Sequence, residues 1–203
     1  SKIDLVAADG ISTSVPALTS FYGTSASVAT AAGVAALILD ANGSLTASDV
    51  GNLMKDSALD MGAPGYDFAT GYGFIQADQA VAFASTSTIA GTTGPDTLFG
   101  THLDDTFEPG AGNDTLIGEG GRDTFIVRVG DGSDTLQDFG AGAGGDIVKI
   151  VGYGIDYPYV QAHLGAMLRN AGTSLSLPNG ETLSFLGLAA GALTADNFIF
   201  DGA

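Results

Sequence analysis

The chain has 203 residues with 23 acidic against 6 basic side chains, a formal charge of −17 that opposes compaction by self-repulsion and excludes nucleic acid or an anionic membrane surface as partners. Cysteine is absent, so neither a disulfide framework nor a thiolate metal site is available, and stability outside a reducing compartment rests on packing and bound ions.

In chain order, no basic start followed by an apolar run and a cleavage site opens at Ser1, so no signal peptide is expected there. Ser25 to about Asp40 is Ala-rich, with Val28, Val34, Leu37 and Leu39, and Asn42-Gly43 breaks it. Its apolar part, Ala29 to Leu39, is too short for a membrane span and contains Gly33, so it reads as a buried helix. A second helix starts at Thr46, where Thr46-Ala-Ser-Asp49 fits a capping box. Gly71-Tyr-Gly-Phe-Ile75 reads as a short strand and Ala77 to Phe83 as a third helix. Residues 85–90, small and polar, form a connector between domains 1–84 and 91 onward.

From residue 91 the pattern changes. Asp96, Asp105, Asp114 and Asp123 recur every nine residues, each followed by Thr and a large apolar residue: Leu98, Phe107, Leu116, Phe125. A fifth, shifted copy runs from Val129 through Asp134. Each unit offers a six-residue, glycine-rich turn and a three-residue strand whose middle residue points inward. Two units make one coil. Coils stacked about 4.8 Å apart bring Asp96 near Asp114 on one edge and Asp105 near Asp123 on the other. Bare carboxylates so placed repel, and a hard cation with oxygen ligands removes the repulsion.

These units, at 91–139, resemble the RTX (repeats-in-toxin) nonapeptide. The resemblance implies a parallel β-roll and Ca²⁺ held by Asp96, Asp105, Asp114, Asp123 and Asp134, with Gly94, Gly112 and Gly121 in the turns and Asp138 and Asp146 where the array ends. Leu103 stands at a glycine position and disfavours positive φ, so the Asp105 turn is expected to bind less well than the Asp114 turn. Gly140 to Gly145 fits G-x-G-x-x-G without a surrounding βαβ unit, so no dinucleotide site is expected. Residues 140–203 form a β-rich cap: a strand at Asp146 to Val151, a helix over Tyr157 to Asn170, a hairpin around Asn179-Gly180 and an apolar closing strand, Leu193 to Phe200. Such an ending resembles proteins exported by the bacterial type I machinery, which implies a secretion signal and an extracellular location.

The upstream part carries its own resemblance. Phe21-Tyr-Gly-Thr-Ser25-Ala-Ser-Val-Ala-Thr-Ala-Ala-Gly33 looks like the nucleophile segment of subtilisin-like serine proteases, with Ala58 to Asp67 and Thr70 to Ala77 in order behind it. This implies that residues 1–84 are the C-terminal portion of such a domain and that Ser25 is its catalytic residue, acting on protein or peptide substrates through an acyl-enzyme. A serine needs a histidine to take its proton and a carboxylate to orient that histidine. No histidine precedes Ser25; His102 and His163 lie downstream and read as solvated or packing residues. Ala29 and Thr30 stand where the family usually has Pro and His, and Ser27 where it has Ala. The chain alone is therefore expected to be inactive. The fold expected is mixed: a partial α/β segment, then an all-β parallel roll with a β-rich closing segment. The alternative function is a noncatalytic, calcium-folded secretion or adhesion module carrying a decayed protease remnant.

Overall fold

The computed structural model describes residues 4–12, 20–85, 88–167 and 171–201. The chain forms two compact units, Ser1–Thr86 and Ser87–Ala203. It is a mixed α/β structure whose larger sheets are built mainly from parallel pairs.

In the first unit, strands β1 (Ile11–Ser12) and β2 (Ser20–Phe21) pair antiparallel ahead of helix α1 (Thr24–Ala41). Helix α2 (Ala47–Asp56) starts as the sequence dictates: Thr46 Oγ1 accepts the Asp49 N–H at 3.3 Å, and Asp49 Oδ2 accepts the Thr46 N–H at 2.7 Å. Helix α3 (Ala77–Ser85) follows. Contrary to the expectation of a buried helix, α1 buries only Ala26, Val34 and Ile38, leaving Val28, Leu37 and Leu39 exposed. Helices α2 and α3 pack on it, and Ser27 and Thr30 hydrogen-bond the 7–8 segment. By length and composition alone, its 18 residues suffice to cross a membrane. The strand expected at Gly71 to Ile75 is replaced by single bridges, Val6 to Phe74 and Leu59 to Phe74. Gly71 (φ +68°) and Gly73 (φ +122°) break the extended run between them.

In the second unit, the first seven strands alternate between two sheets. One sheet has β3 (Thr88–Ala90), β5 (Thr106–Glu108), β7 (Thr124–Arg128), β9 (Ile147–Val151) and β13 (Phe198–Asp201), all parallel. The other has β4 (Thr97–Phe99), β6 (Thr115–Ile117), β8 (Asp134–Leu136) and β12 (Thr182–Leu186) in parallel, with β11 (Gly172–Ser176) and β10 (Leu164–Ala166) added antiparallel beyond β12. The chain therefore winds in coils of two strands, with Thr97 opposite Thr115 and Thr106 opposite Thr124. The division between the two units falls within the connector expected at 85–90, whose ends are structured: Ser85 ends α3 and Thr88–Ala90 is the first strand, set by Ile89 opposite Phe107, while residues 86 and 87 lie outside the described residues.

The core lies between the two sheets. Phe107, Leu116, Phe125, Leu136, Val148, Leu183 and Phe185 are all at most 1% exposed, and burying each such side chain stabilises by about 1.5–3 kcal/mol. Phe107 and Phe125 stack with centroids 4.8 Å apart, and Phe139 joins Phe125 to Phe185 at 5.9 and 5.1 Å. The helix expected over Tyr157 to Asn170 is shorter, α4 (Tyr157–His163), capped by Asp156. It stops because Leu164 turns extended and pairs with Leu175; residues 168–170 lie outside the described residues.

Candidate functional site

Strand pairing fixes where the repeat aspartates stand. On one edge, the Asp96 N–H donates to Asp114 Oδ1 at 2.8 Å and the Asp114 N–H to Asp134 Oδ1 at 3.0 Å. On the other, the Asp105 N–H donates to Asp123 Oδ1 and the Asp123 N–H to Asp146 Oδ1, both at 2.9 Å. The fifth copy is shifted because β7 has five residues where β5 and β6 have three, so Asp134 is twenty residues from Asp114 yet continues the same ladder. Asp105, Asp114, Asp123, Asp134 and Asp146 are all at most 5% exposed.

Burial of so many carboxylates has an electrostatic cost. Burial, reinforced by Asp146, Asp105 and Asp138, pushes the Asp123 carboxyl up to about 8, against the pull of the Asp105 N–H. Burial likewise pushes Asp134 up to about 7, with Asp114, Asp131 and Glu181 adding to the effect. Asp131 and Asp146 are raised, first by burial.

The second carboxylate oxygens divide the ladder. Asp114 Oδ2 and Asp134 Oδ2 are buried and have no hydrogen-bond partner. Leaving a buried acceptor unmatched costs about 1–3 kcal/mol, more when charged. A proton removes the charge but leaves an O–H that itself needs an acceptor; a cation satisfies the oxygen and the charge together. The donor set is all oxygen, which suits a hard ion such as Ca²⁺ and not a soft one. No group of three or more His, Asp or Glu side chains able to hold a metal occurs among the described residues, so backbone carbonyls of the turns must complete any coordination shell. The turns leave no room for side chains there: a Cβ at Gly110 would collide with the Thr92 carbonyl, and one at Gly132 with that of Gly112.

The remaining predicted positions fall as follows. Gly112 (φ +157°) and Gly121 (φ +105°) are left-handed, whereas Gly94 is not. Leu103 also avoids positive φ, so the strain expected at the Asp105 turn does not arise. Asp138 is exposed, and its two oxygens accept the Gly118 and Glu119 N–H groups, both at 2.8 Å. Asp146 accepts the Asp123 N–H at one oxygen and the Gly140 N–H, at 2.7 Å, at the other.

Sequence reasoning missed a counterpart to Asp138 on the other edge. Glu181, on the hairpin turn before β12, accepts the Tyr153 hydroxyl, and the Asn179 side chain and the Gly130 and Gly132 N–H groups bond it as well. Burial pushes the Glu181 carboxyl up, and these bonds outweigh it and hold it below its ordinary value. Tyr153 bonds the Arg128 carbonyl as well, at 3.1 Å. Both carboxylates thus sit in concave arrays of turn N–H groups. Nothing in the spacing of the repeats marks residues 153 or 181.

Ser25 lies in the first turn of α1 and is exposed. The preceding Gly23 has φ +99°, and its N–H donates to Asp9 Oδ1 at 2.7 Å, which ties the entry of the helix to the 9–10 segment. Ser27 and Thr30 donate to the Ala7 and Ala8 carbonyls. No hydrogen-bond partner of the Ser25 hydroxyl is found among the described residues, and the first unit contains no histidine. His163 stacks on Tyr159, with its Nδ1 2.8 Å from the Tyr159 carbonyl.

Comparison with known proteins bears on the first unit. The family model described as the subtilase family matches residues 5–73. No curated protein matches the chain. Among solved structures, the chain is 19% identical to the extracellular lipase LipA from Serratia marcescens, with a TM-score of 0.44, over 57% of this chain and 21% of that one. The AlgE6R3 subunit of the Azotobacter vinelandii mannuronan C5-epimerase is 21% identical, with a TM-score of 0.28, over 70% of this chain and 86% of that one. The chain spans about a fifth of the length of the lipase. Residues 5–73, with Ser25 at the start of their long helix, are thus a subtilase-like segment.

Proposed function

We propose that the second unit is a calcium-binding RTX β-roll appended to a subtilisin-like serine endopeptidase, of which residues 1–84 are the C-terminal portion. The observation that carries the calcium reading is the pair of buried, unpartnered oxygens, Asp114 Oδ2 and Asp134 Oδ2. Asp114, Asp123 and Asp134, with turn carbonyls, would hold the ions, and Ca²⁺ would supply charge neutralisation that 6 basic against 23 acidic side chains cannot. Ion binding and folding are then one equilibrium.

The protease reading rests on the subtilase match at 5–73 and on Ser25 within it. In the complete protein Ser25 would attack a peptide carbonyl, its proton passing to a histidine supplied from outside this chain's first unit. The exposed Val28, Leu37 and Leu39 on α1 support a larger domain, since an apolar helix face of this kind is ordinarily covered. Secretion through the type I machinery to an extracellular, calcium-rich medium fits both parts. The alternative, a noncatalytic, calcium-folded secretion or adhesion module with a decayed protease remnant, is favoured by Ala29 and Thr30, which stand where the family usually has Pro and His.

Calorimetric titration of the 203-residue chain with Ca²⁺ tests the first half of this reading. Saturable binding that persists in excess Mg²⁺ is expected; heats no different from dilution would refute it.

A further inference from the structure

The five repeat turns are not alike, and the difference lies in one hydroxyl. In the turn from Gly91 to Asp96, the Thr92 N–H and Oγ1 both donate to Asp96 Oδ2, at 2.6 and 2.9 Å, and the Gly94 N–H donates to Thr92 Oγ1 at 3.2 Å. The turn from Gly100 to Asp105 repeats this with Thr101: 2.6 and 3.0 Å to Asp105 Oδ2, and the Leu103 N–H to Thr101 Oγ1 at 3.1 Å. In the other three turns the second residue is Gly110, Glu119 or Gly130. There both the second and the fourth residue take positive φ: +82° and +157°, +67° and +105°, +96° and +105°. In the two threonine turns neither position does. Glu119 is the only non-glycine residue with positive φ among those described, so the conformation holds even where it strains the backbone.

The carboxylates follow the turns. Asp114 and Asp134, in glycine turns, keep a buried oxygen with no partner; Asp96 and Asp105, in threonine turns, have the equivalent oxygen bonded twice. A threonine hydroxyl and its N–H supply there the positive charge density that a cation would supply elsewhere. The two threonine turns are also the first on their respective edges.

We propose, resting on the calcium reading above, that Thr92 and Thr101 terminate the two ion columns. Asp96 and Asp105 are hydrogen-bonded caps and not metal ligands, and the ion-binding carboxylates are those of the glycine turns. Asp138 and Glu181 close the opposite ends, each accepting two N–H groups of the last glycine turn on its edge. The roll then carries a metal-independent start on both edges, fixed by a single residue choice at the second position of the turn.

The test is the number of calcium ions bound to the full 203-residue chain, counted by equilibrium dialysis and elemental analysis, in Asp96→Asn, Asp105→Asn, Asp114→Asn and Asp134→Asn variants. Asp114→Asn and Asp134→Asn should bind fewer ions than the parent. Asp96→Asn and Asp105→Asn should bind the same number, with midpoints within about twofold, and should lower thermal stability in saturating calcium through the lost turn bonds alone. Loss of an ion from Asp96→Asn or Asp105→Asn overturns the assignment. If either fails to fold, Thr92→Val and Thr101→Val keep the backbone bond and delete only the hydroxyl; an unchanged ion count is expected, and a lowered one overturns it. A parent chain that binds no calcium sinks the underlying reading, a result distinct from a parent that binds and an Asp96→Asn that loses an ion.

Discussion

The Asp114 N–H donates to Asp134 Oδ1 at 3.0 Å, while Asp134 Oδ2, on the same carboxylate, is buried without a partner. One oxygen therefore serves the stacking of coils, and the other is left for something the polypeptide does not supply. Asp134→Asn retains an oxygen for the Asp114 N–H and deletes the charge. It should weaken calcium binding by about tenfold or more, ~1.4 kcal/mol, while leaving the chelated chain as ordered as the parent or more so. Titration calorimetry with a parallel thermal melt measures both; undiminished affinity would contradict the role given to Oδ2.

Phe125 joins the charged edges to the core. It stacks on Phe107 and touches Phe139, and is fully buried. Phe125→Ala should cost about 3–5 kcal/mol, and saturating calcium should not restore the lost stability, because the cavity lies between the sheets and not at an ion. Denaturant unfolding in calcium reads this; a loss below about 1 kcal/mol would mean the ladder is not the core.

The raised carboxyls set a pH dependence. Asp123 and Asp134 hold their protons to about 8 and about 7 in the calcium-free fold, against an ordinary value of 3.8 when unfolded. The native state then binds more protons than the unfolded chain across that window, so its stability is greatest at the acid end and is lost as pH rises through 7 and 8. The chelated chain should show more β signal near about pH 5 than near about pH 8, and calcium binding should release protons within the window. A chelated chain more ordered at the alkaline end would contradict this.

At the other end of the chain, Ser25 has no base beside it among the described residues and remains a protonated alcohol. A fluorophosphonate probe should leave it unlabelled in the 203-residue chain. A protein extended upstream to include a histidine and aspartate in the subtilase order should label, with the label lost on Ser25→Ala. Labelling of the short chain would require a base not identified in the structure.

Features set by local chemistry were legible in the sequence. The capping box at Thr46 and Asp49 is made within one turn of helix, and the nine-residue spacing of the aspartates follows from two units per coil. What depended on distant pairing was not. Leu164 reads as helical by pattern, but its partner Leu175 draws it into a strand. Gly71 to Ile75 reads as a strand by composition, and positive φ at its two glycines prevents it. The roles of Thr92 and Thr101 were not legible, because a hydroxyl's partner is set by a turn conformation that the residue itself selects. Glu181 reaches the Gly130 turn across about fifty residues of chain and has no local signature.

The central claim is that the second unit is ordered by calcium. Far-ultraviolet circular dichroism of the 203-residue chain, titrated with Ca²⁺ from chelator at neutral pH, tests it most directly. The account predicts a cooperative gain of β signal with a midpoint of about 10⁻⁴ to 10⁻³ M, the range of extracellular calcium modules. The same β signal in chelator as in saturating calcium would contradict it.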